Sequence, residues 1–195
     1  VEYCKMIHRS GHNLLTIVED LFDISLIQSG AVKIKHEDYN LLNLFYEIDA
    51  VIHVERNVLE KEHIELILNL PPNFSDFILN TDPHRFKQVF LNLLKNALKF
   101  TDKGSIEYGV MNGDVNSERV LHFFVKDTGI GIPEEVQESI FGLFRQANEK
   151  LSRKYNGVGI GLSISKSLTE LLGGKIWFDS TYGEGSTFYF THPIK

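Results

Sequence analysis

Asn92, Asn96 and Lys99 follow one another at helical turn spacing in Gln88-Val-Phe-Leu-Asn-Leu-Leu-Lys-Asn-Ala-Leu-Lys-Phe-Thr101. Placed on a helix, Phe86, Val89, Phe90, Leu93 and Ala97 form one apolar stripe, and the three polar residues form another on the opposite side. Asparagine weakens a helix interior because its amide competes for the backbone, so a helix built only to pack would carry Lys, Glu or Gln there. An Asn amide offers a neutral oxygen to a hard cation such as Mg²⁺, and a Lys one turn on offers charge to a phosphate. A solvated polar face would use the same residues, and this helix alone leaves both readings open.

Two glycine-bearing segments extend the same chemistry. Asp127-Thr-Gly-Ile-Gly-Ile-Pro133 follows an apolar run from Leu121 to Lys126. A carboxylate at a strand end, followed by glycines, can face a pocket that a flat ligand enters. It would accept a hydrogen bond from the amino group of adenine and repel the carbonyl oxygen of guanine. Gly157-Val-Gly-Ile-Gly-Leu162 leads into a helix, where free N–H groups and close backbone approach favour phosphate oxygens. Its spacing differs from Gly-x-Gly-x-x-Gly, and no Gly-x-x-x-x-Gly-Lys-[Ser/Thr] occurs in the chain, which excludes a P-loop. Between them, Ile140-Phe-Gly-Leu-Phe-Arg-Gln146 precedes a basic stretch with Arg145, Lys150, Arg153 and Lys154. Phe141 and Phe144 are placed to anchor one end of a lid over a ligand.

The elements that must position these residues read as follows. Residues 1 to about 29 form one long helix, with Ile7, Leu14 and Leu21 at one heptad position and Cys4, Gly11, Val18 and Ser25 at the other. Leu15, Phe22 and Ile24 widen the stripe. This is a coiled-coil or four-helix-bundle pattern, ended by Gly30, and it requires a partner. Val32–Tyr39 reads as a strand, Leu41 to about Lys61 as a helix and Ile64–Leu70 as a strand. Asp82 or Thr81 caps the asparagine helix, with Pro83 in its first turn. Ser105–Met111 and Val120–Lys126 pair around the turn 112–119. Gly161–Leu172 is a helix closed by Gly173-Gly174, and Lys175–Ser180 and Ser186–His192 are the last strands. The expected class is α/β: a two-layer sandwich of one mixed sheet with helices on one face, preceded by the long helix.

Bulk properties narrow the partners. The 195 residues suffice for one domain plus an appendage, and a 43% hydrophobic content supports a core. A formal net charge of −6 argues against nucleic acid or an anionic membrane as the main partner. The single cysteine, Cys4, excludes an internal disulfide framework and a cysteine zinc site and fits a reducing compartment. No apolar run reaches membrane-spanning length. The chain begins with Val, and we read it as a piece of something larger, so that a membrane anchor could lie outside it.

In this order, the motifs resemble the catalytic ATP-binding domain of sensor histidine kinases. The residues around Asn92 and Asn96 resemble the family's N box, Asp127–Ile132 its G1 box, Phe141–Phe144 its F box and Gly157–Leu162 its G2 box. Gly183-Glu-Gly-Ser-Thr-Phe188 resembles its final glycine turn and strand, which brings Thr187 to the nucleotide. The resemblance covers essentially the whole chain, as domains 1–30, the second helix of the dimerisation hairpin, and 31–195, the ATP-binding domain. It implies ATP and Mg²⁺ as cofactors. Asn96 would hold Mg²⁺, with Asn92 beside the phosphates and Lys99 and Arg153 on them. Asp127 would bind adenine against Gly129 and Gly131. Phe144, Gly157, Gly159, Gly161 and Leu162 would form the lid and phosphate cradle. Val158 stands where the G2 box usually has Thr, and Asn156 where Gly is frequent; neither removes the backbone cradle.

The resemblance further implies a homodimer through the hairpin and a response-regulator receiver domain as partner. The family's acceptor motif, similar to His-Glu-Leu-Arg-Thr-Pro-Leu, does not occur in this sequence. His8 and His12 are followed by Arg9 and Asn13 rather than an acid, so no phosphoacceptor is expected here. Gyrase and the heat-shock chaperones share the fold and place a glutamate one turn before the metal-binding Asn. Asn92 stands there and cannot act as a base, which argues against hydrolysis as the task.

Overall fold

The computed structural model describes residues 2–72, 74–111, 120–143 and 159–194. Helix α1 is Glu2–Gln28, strand β1 Glu37–Asn40 and helix α2 Leu41–Val58. Strands β2 (Glu65–Asn69) and β3 (Ile78–Thr81) precede helix α3, Pro83–Phe100. Strands β4 (Ser105–Val110) and β5 (Val120–Asp127) lead to a short helix α4, Glu134–Gln137. Helix α5 (Gly161–Leu171) and strands β6 (Ile176–Thr181) and β7 (Gly185–Pro193) complete the order.

Five strands form one sheet in the order β2-β4-β5-β7-β6. Only β2 and β4 run parallel; the other neighbours are antiparallel. Period-two alternation along β5 turns Leu121, Phe123, Val125 and Asp127 inward and leaves Lys126 exposed. Against that inner face lie Phe45, Ile48 and Ile52 of α2, Phe86, Phe90, Leu94 and Leu98 of α3, and Ile164 and Leu168 of α5. The rings of Phe86, Phe90, Phe123 and Phe190 meet at 4.9–5.8 Å between centroids. The molecule is the expected two-layer α/β sandwich with its helices on one side.

Caps set the helix starts. The Asn40 side chain accepts the Asn43 N–H at 3.0 Å. Asp82 accepts the Arg85 N–H at 3.1 Å through one carboxylate oxygen and the Lys35 N–H at 3.0 Å through the other. Two expectations need correcting. The first strand is shorter than Val32–Tyr39, because its partner β3 offers only Ile78–Thr81 to pair with. With β3, a strand outside the expected elements, β1 forms a separate two-stranded sheet instead of joining the one sheet expected.

The long helix is present, but its stripe is not shared out evenly. Ile24 and Ile27 pack against the core, and Asp23 receives Arg85 at 3.0 Å and Gln88 at 2.6 Å from α3. Burial and the neighbouring Asp23 raise the pKa of Asp20, with Lys95 pulling the other way. Farther up, Ile7, Leu14, Leu15, Val18, Leu21 and Phe22 remain between 44% and 72% exposed.

Candidate functional site

The apolar face of α3 is driven into the core, and this holds its polar edge at the boundary of the domain. Asn92, Asn96 and Lys99 are half-buried, while Lys95 between them is exposed. The Asn92 amide donates to the Gly161 carbonyl at 3.3 Å, so α3 touches the first residue of α5. Lys99 sits with its ammonium 4.8 Å over the Phe100 ring, and burial lowers its pKa. A partly desolvated cation gains more from an arriving phosphate than a fully hydrated one.

Asp127 ends β5 on its inner face and is 6% exposed. Burial raises its pKa; hydrogen bonds from the Gly129 and Ser186 N–H groups oppose the rise. The Gly129 bond is 2.8 Å. Ile130 donates to the Phe100 carbonyl at 3.2 Å and accepts from Gly183 at 2.8 Å, which stretches the loop between α3 and the β6–β7 turn. Both loop glycines are sterically required. A Cβ on Gly129 would lie 2.5 Å from the Phe100 oxygen, and one on Gly131 (φ 66°) would lie 2.1 Å from the Thr181 oxygen. Ile132 then donates to Ser180 Oγ at 2.8 Å.

Helix α5 begins without a side-chain cap. The hydroxyls of its first turn serve carbonyls instead: Ser163 donates to Ile160 and Ser165 to Gly161, at 2.7 and 2.9 Å. The N–H groups of that turn are therefore the kind that bind anions. Gly159 has φ 73°, a backbone that suits glycine, and Leu162 packs on the core. Phe141 does anchor its segment, meeting Phe178 at 5.9 Å and Phe188 at 6.4 Å. Phe144, Arg145, Lys150, Arg153, Lys154, Asn156, Gly157 and Val158 lie outside the described residues, as do the side chains of His8 and His12.

A buried carboxylate, a glycine loop bonded to the end of an asparagine helix, and a second helix start tied to Asn92 thus share one edge of the sandwich. Residues 81–195 match the family model described as histidine kinase-, DNA gyrase B-, and HSP90-like ATPase. The chain belongs to this ATPase family. Among curated relatives it is 38% identical over 193 residues to hybrid signal transduction histidine kinase B of Dictyostelium discoideum, covering 98% of this chain and 10% of that protein. It is 38% identical over 188 residues to the circadian input-output histidine kinase CikA of Synechococcus elongatus, covering 96% of this chain and 24% of that one. The chain therefore spans a quarter or less of these relatives. A crystal structure of full-length ShkA in complex with AMPPNP superposes with a TM-score of 0.77 at 25% identity, over 99% of this chain and 38% of that one.

For a member of this ATPase family, one expected residue is misplaced. Thr187 pairs with Lys126 and Asp179 on the outer face of the sheet, away from Asp127. The residue opposite Asp127 is Ser186, 7% exposed, with its Oγ 3.0 Å from Ser180 Oγ. The alternation that turns Phe188 and Phe190 inward carries Ser186 with them, and that signal was readable in the sequence. The donor set for Mg²⁺ is lean. Among the described residues no group of His, Cys, Asp and Glu is placed to hold a metal ion. An amide oxygen such as that of Asn96 is a donor of the kind that suits Mg²⁺, which commonly takes few protein ligands and completes its shell with phosphates and water. A cavity of about 420 Å³ lies beside Gly129, lined also by Asp102, Lys103, Thr128, Ile130, Tyr182 and Gly183. It excludes Asn92, Asn96 and Asp127, so the nucleotide reading rests on the side chains and not on this hollow. Among the described residues no helix is long and apolar enough to cross a membrane.

Proposed function

We propose that this chain is the ATP-binding catalytic part of a sensor histidine kinase, joined to the second helix of its dimerisation hairpin. Residues 1–30 are that helix and 31–195 the catalytic domain; α2 and β2 lie before the family match but contribute to the same core. The whole protein moves the γ-phosphoryl of Mg-ATP to a histidine on a helix outside this sequence, for relay to a response-regulator aspartate. It works as a homodimer through the hairpin, on the cytoplasmic side, without nucleic acid or a membrane contact by this part.

The observation that supports this most is the Ile130–Phe100 bond, which couples the adenine-facing Asp127 loop to the helix carrying Asn96 and Lys99. Asp127 accepts from the adenine amino group, and Gly129 and Gly131 let the ring approach. Asn96 would hold Mg²⁺, which neutralises phosphate charge when bound. Lys99 faces the phosphates, with Arg153 of the lid as a second cation. The first turn of α5, held by Asn92, gives its N–H groups to phosphate oxygens. Positioning and charge neutralisation are the whole of the work on this side of the reaction.

The test is incubation with γ-labelled Mg-ATP, following protein-bound label and free phosphate together. Measurable ATP binding with no bound label and little phosphate release is expected, and adding the upstream helix restores transfer. Acid-labile label on this chain alone would place an acceptor histidine within it and overturn the reading. Rapid phosphate release would favour the ATP hydrolases of the same fold; Asn92, an amide already bonded to Gly161, speaks against them.

A further inference from the structure

The last turn of an α-helix leaves its carbonyls without intrahelical donors. In α3 those carbonyls are collected by one side chain from another part of the chain. Lys61, in the turn between α2 and β2, donates to the Leu98 carbonyl and to the Thr101 carbonyl, each at 2.7 Å. The Lys99 carbonyl lies at 3.4 Å and an Asp102 carboxylate oxygen at 3.5 Å. The Lys61 side chain is only 17% exposed. A cation there meets the negative end of the helix dipole. Neighbouring residues reinforce the contact: His63 Nε2 bonds the Asp102 carbonyl at 2.9 Å, and Glu65 N–H donates to Gly104 at 3.1 Å.

The carbonyl that Lys61 leaves alone is that of Phe100, which accepts the Ile130 N–H at 3.2 Å. The same oxygen is the one that a Cβ on Gly129 would strike. The turn fixed by Lys61 therefore carries Lys99 and sits one turn from Asn96, and it also holds the loop that begins at Asp127. We propose that Lys61 is a positioning residue for the nucleotide site, setting the C-terminal turn of α3 and, through the Phe100 carbonyl, the Asp127–Gly131 loop. This rests on the nucleotide reading above. The hydrogen bonds of the Lys61 ammonium go to backbone carbonyls, so it acts by clamping backbone.

The experiment compares Lys61→Met, Lys61→Gln and Lys61→Arg in the 195-residue chain. Two quantities are read: calorimetric affinity for Mg-AMPPNP and amide hydrogen exchange at Ile130, with the β5 amides as an internal standard. In Lys61→Met, affinity falls about tenfold and Ile130 exchanges about tenfold faster, the loss expected for a charge-assisted hydrogen bond. The β5 amides keep their protection, which a general loss of stability would not allow. Lys61→Arg recovers most of both quantities. A Lys61→Met chain that binds within about twofold of wild type, or whose Ile130 amide exchanges as before, overturns the proposal. If Lys61→Met loses the β5 protection as well, Lys61→Gln decides, and a folded Lys61→Gln with wild-type affinity overturns it. Absence of nucleotide binding by wild type would instead refute the nucleotide reading, while exchange at Ile130 still decides whether the clamp exists.

Discussion

Helix α3 buries Phe86, Val89, Phe90, Leu93, Leu94, Ala97 and Leu98 in the core, whereas helix α1 leaves Ile7, Leu14, Leu15, Val18, Leu21 and Phe22 to solvent. Both are amphipathic, and they differ in who covers the apolar face. For α3 the cover is the chain's own sheet, and the reward is a polar edge held rigidly enough to carry chemistry. For α1, among the described side chains, the cover lies at its C-terminal end, through Ile24, Ile27 and the Asp23 contacts to Arg85 and Gln88. Uncovered apolar surface on that scale is what the proposed pairing of this helix with a partner would bury. One chain thus holds a candidate site backed by its own core and a helix whose described apolar side chains are largely left to solvent.

Core truncation should separate the two most sharply. Phe90→Ala is expected to cost about 3–5 kcal/mol in urea unfolding. Leu14→Ala should stay within about 0.5 kcal/mol for the monomer and weaken self-association instead. A Leu14→Ala cost approaching that of Phe90→Ala would show that the α1 stripe is already covered.

Glycine substitutions should give opposite signs. Gly131→Ala combines a positive φ with a backbone clash and should lose about 1–3 kcal/mol. Gly11→Ala meets nothing within 4 Å and sits inside α1, where it should gain about 1 kcal/mol of helix propensity. Thermal unfolding of both variants checks the pair, and a stabilised Gly131→Ala would mean that the loop geometry is wrong.

The smallest stability effect is predicted at Asp127. Burial raises its folded pKa above the unfolded value. Its contribution to stability is therefore present at low pH and is lost as pH rises through the raised value, because the folded state favours the protonated form. Asp127→Asn should flatten that limb of the stability–pH profile and leave the ligand-free domain no less stable at neutral pH. Nucleotide affinity should nevertheless fall at least about tenfold. An Asp127→Asn chain that melts lower and binds normally would make Asp127 a structural residue.

Much of this was legible in the sequence for identifiable reasons. The α3 helix declares itself through Asp82-Pro83 and a clean apolar period, and the loop at Asp127 through glycines at a strand end. Four residues of β3 carry too little pattern to stand out beside the cap that follows them. Thr187 is expected from its place in the glycine-turn motif, whereas strand alternation turns its neighbour Ser186 toward Asp127. Lys61 left no signal at all, since a lone lysine in a loop acquires its role only when the chain folds α3 against it.

The most direct test of the central claim, that α3 and the Asp127 loop form an adenine nucleotide site, is calorimetric titration of the wild-type chain with Mg-ATP and Mg-GTP. Saturable ATP binding is expected with a dissociation constant between about 1 μM and 1 mM, and GTP at least about tenfold weaker because guanine sets a carbonyl against the Asp127 carboxylate. No heat from millimolar Mg-ATP, or equal binding of GTP, would contradict it.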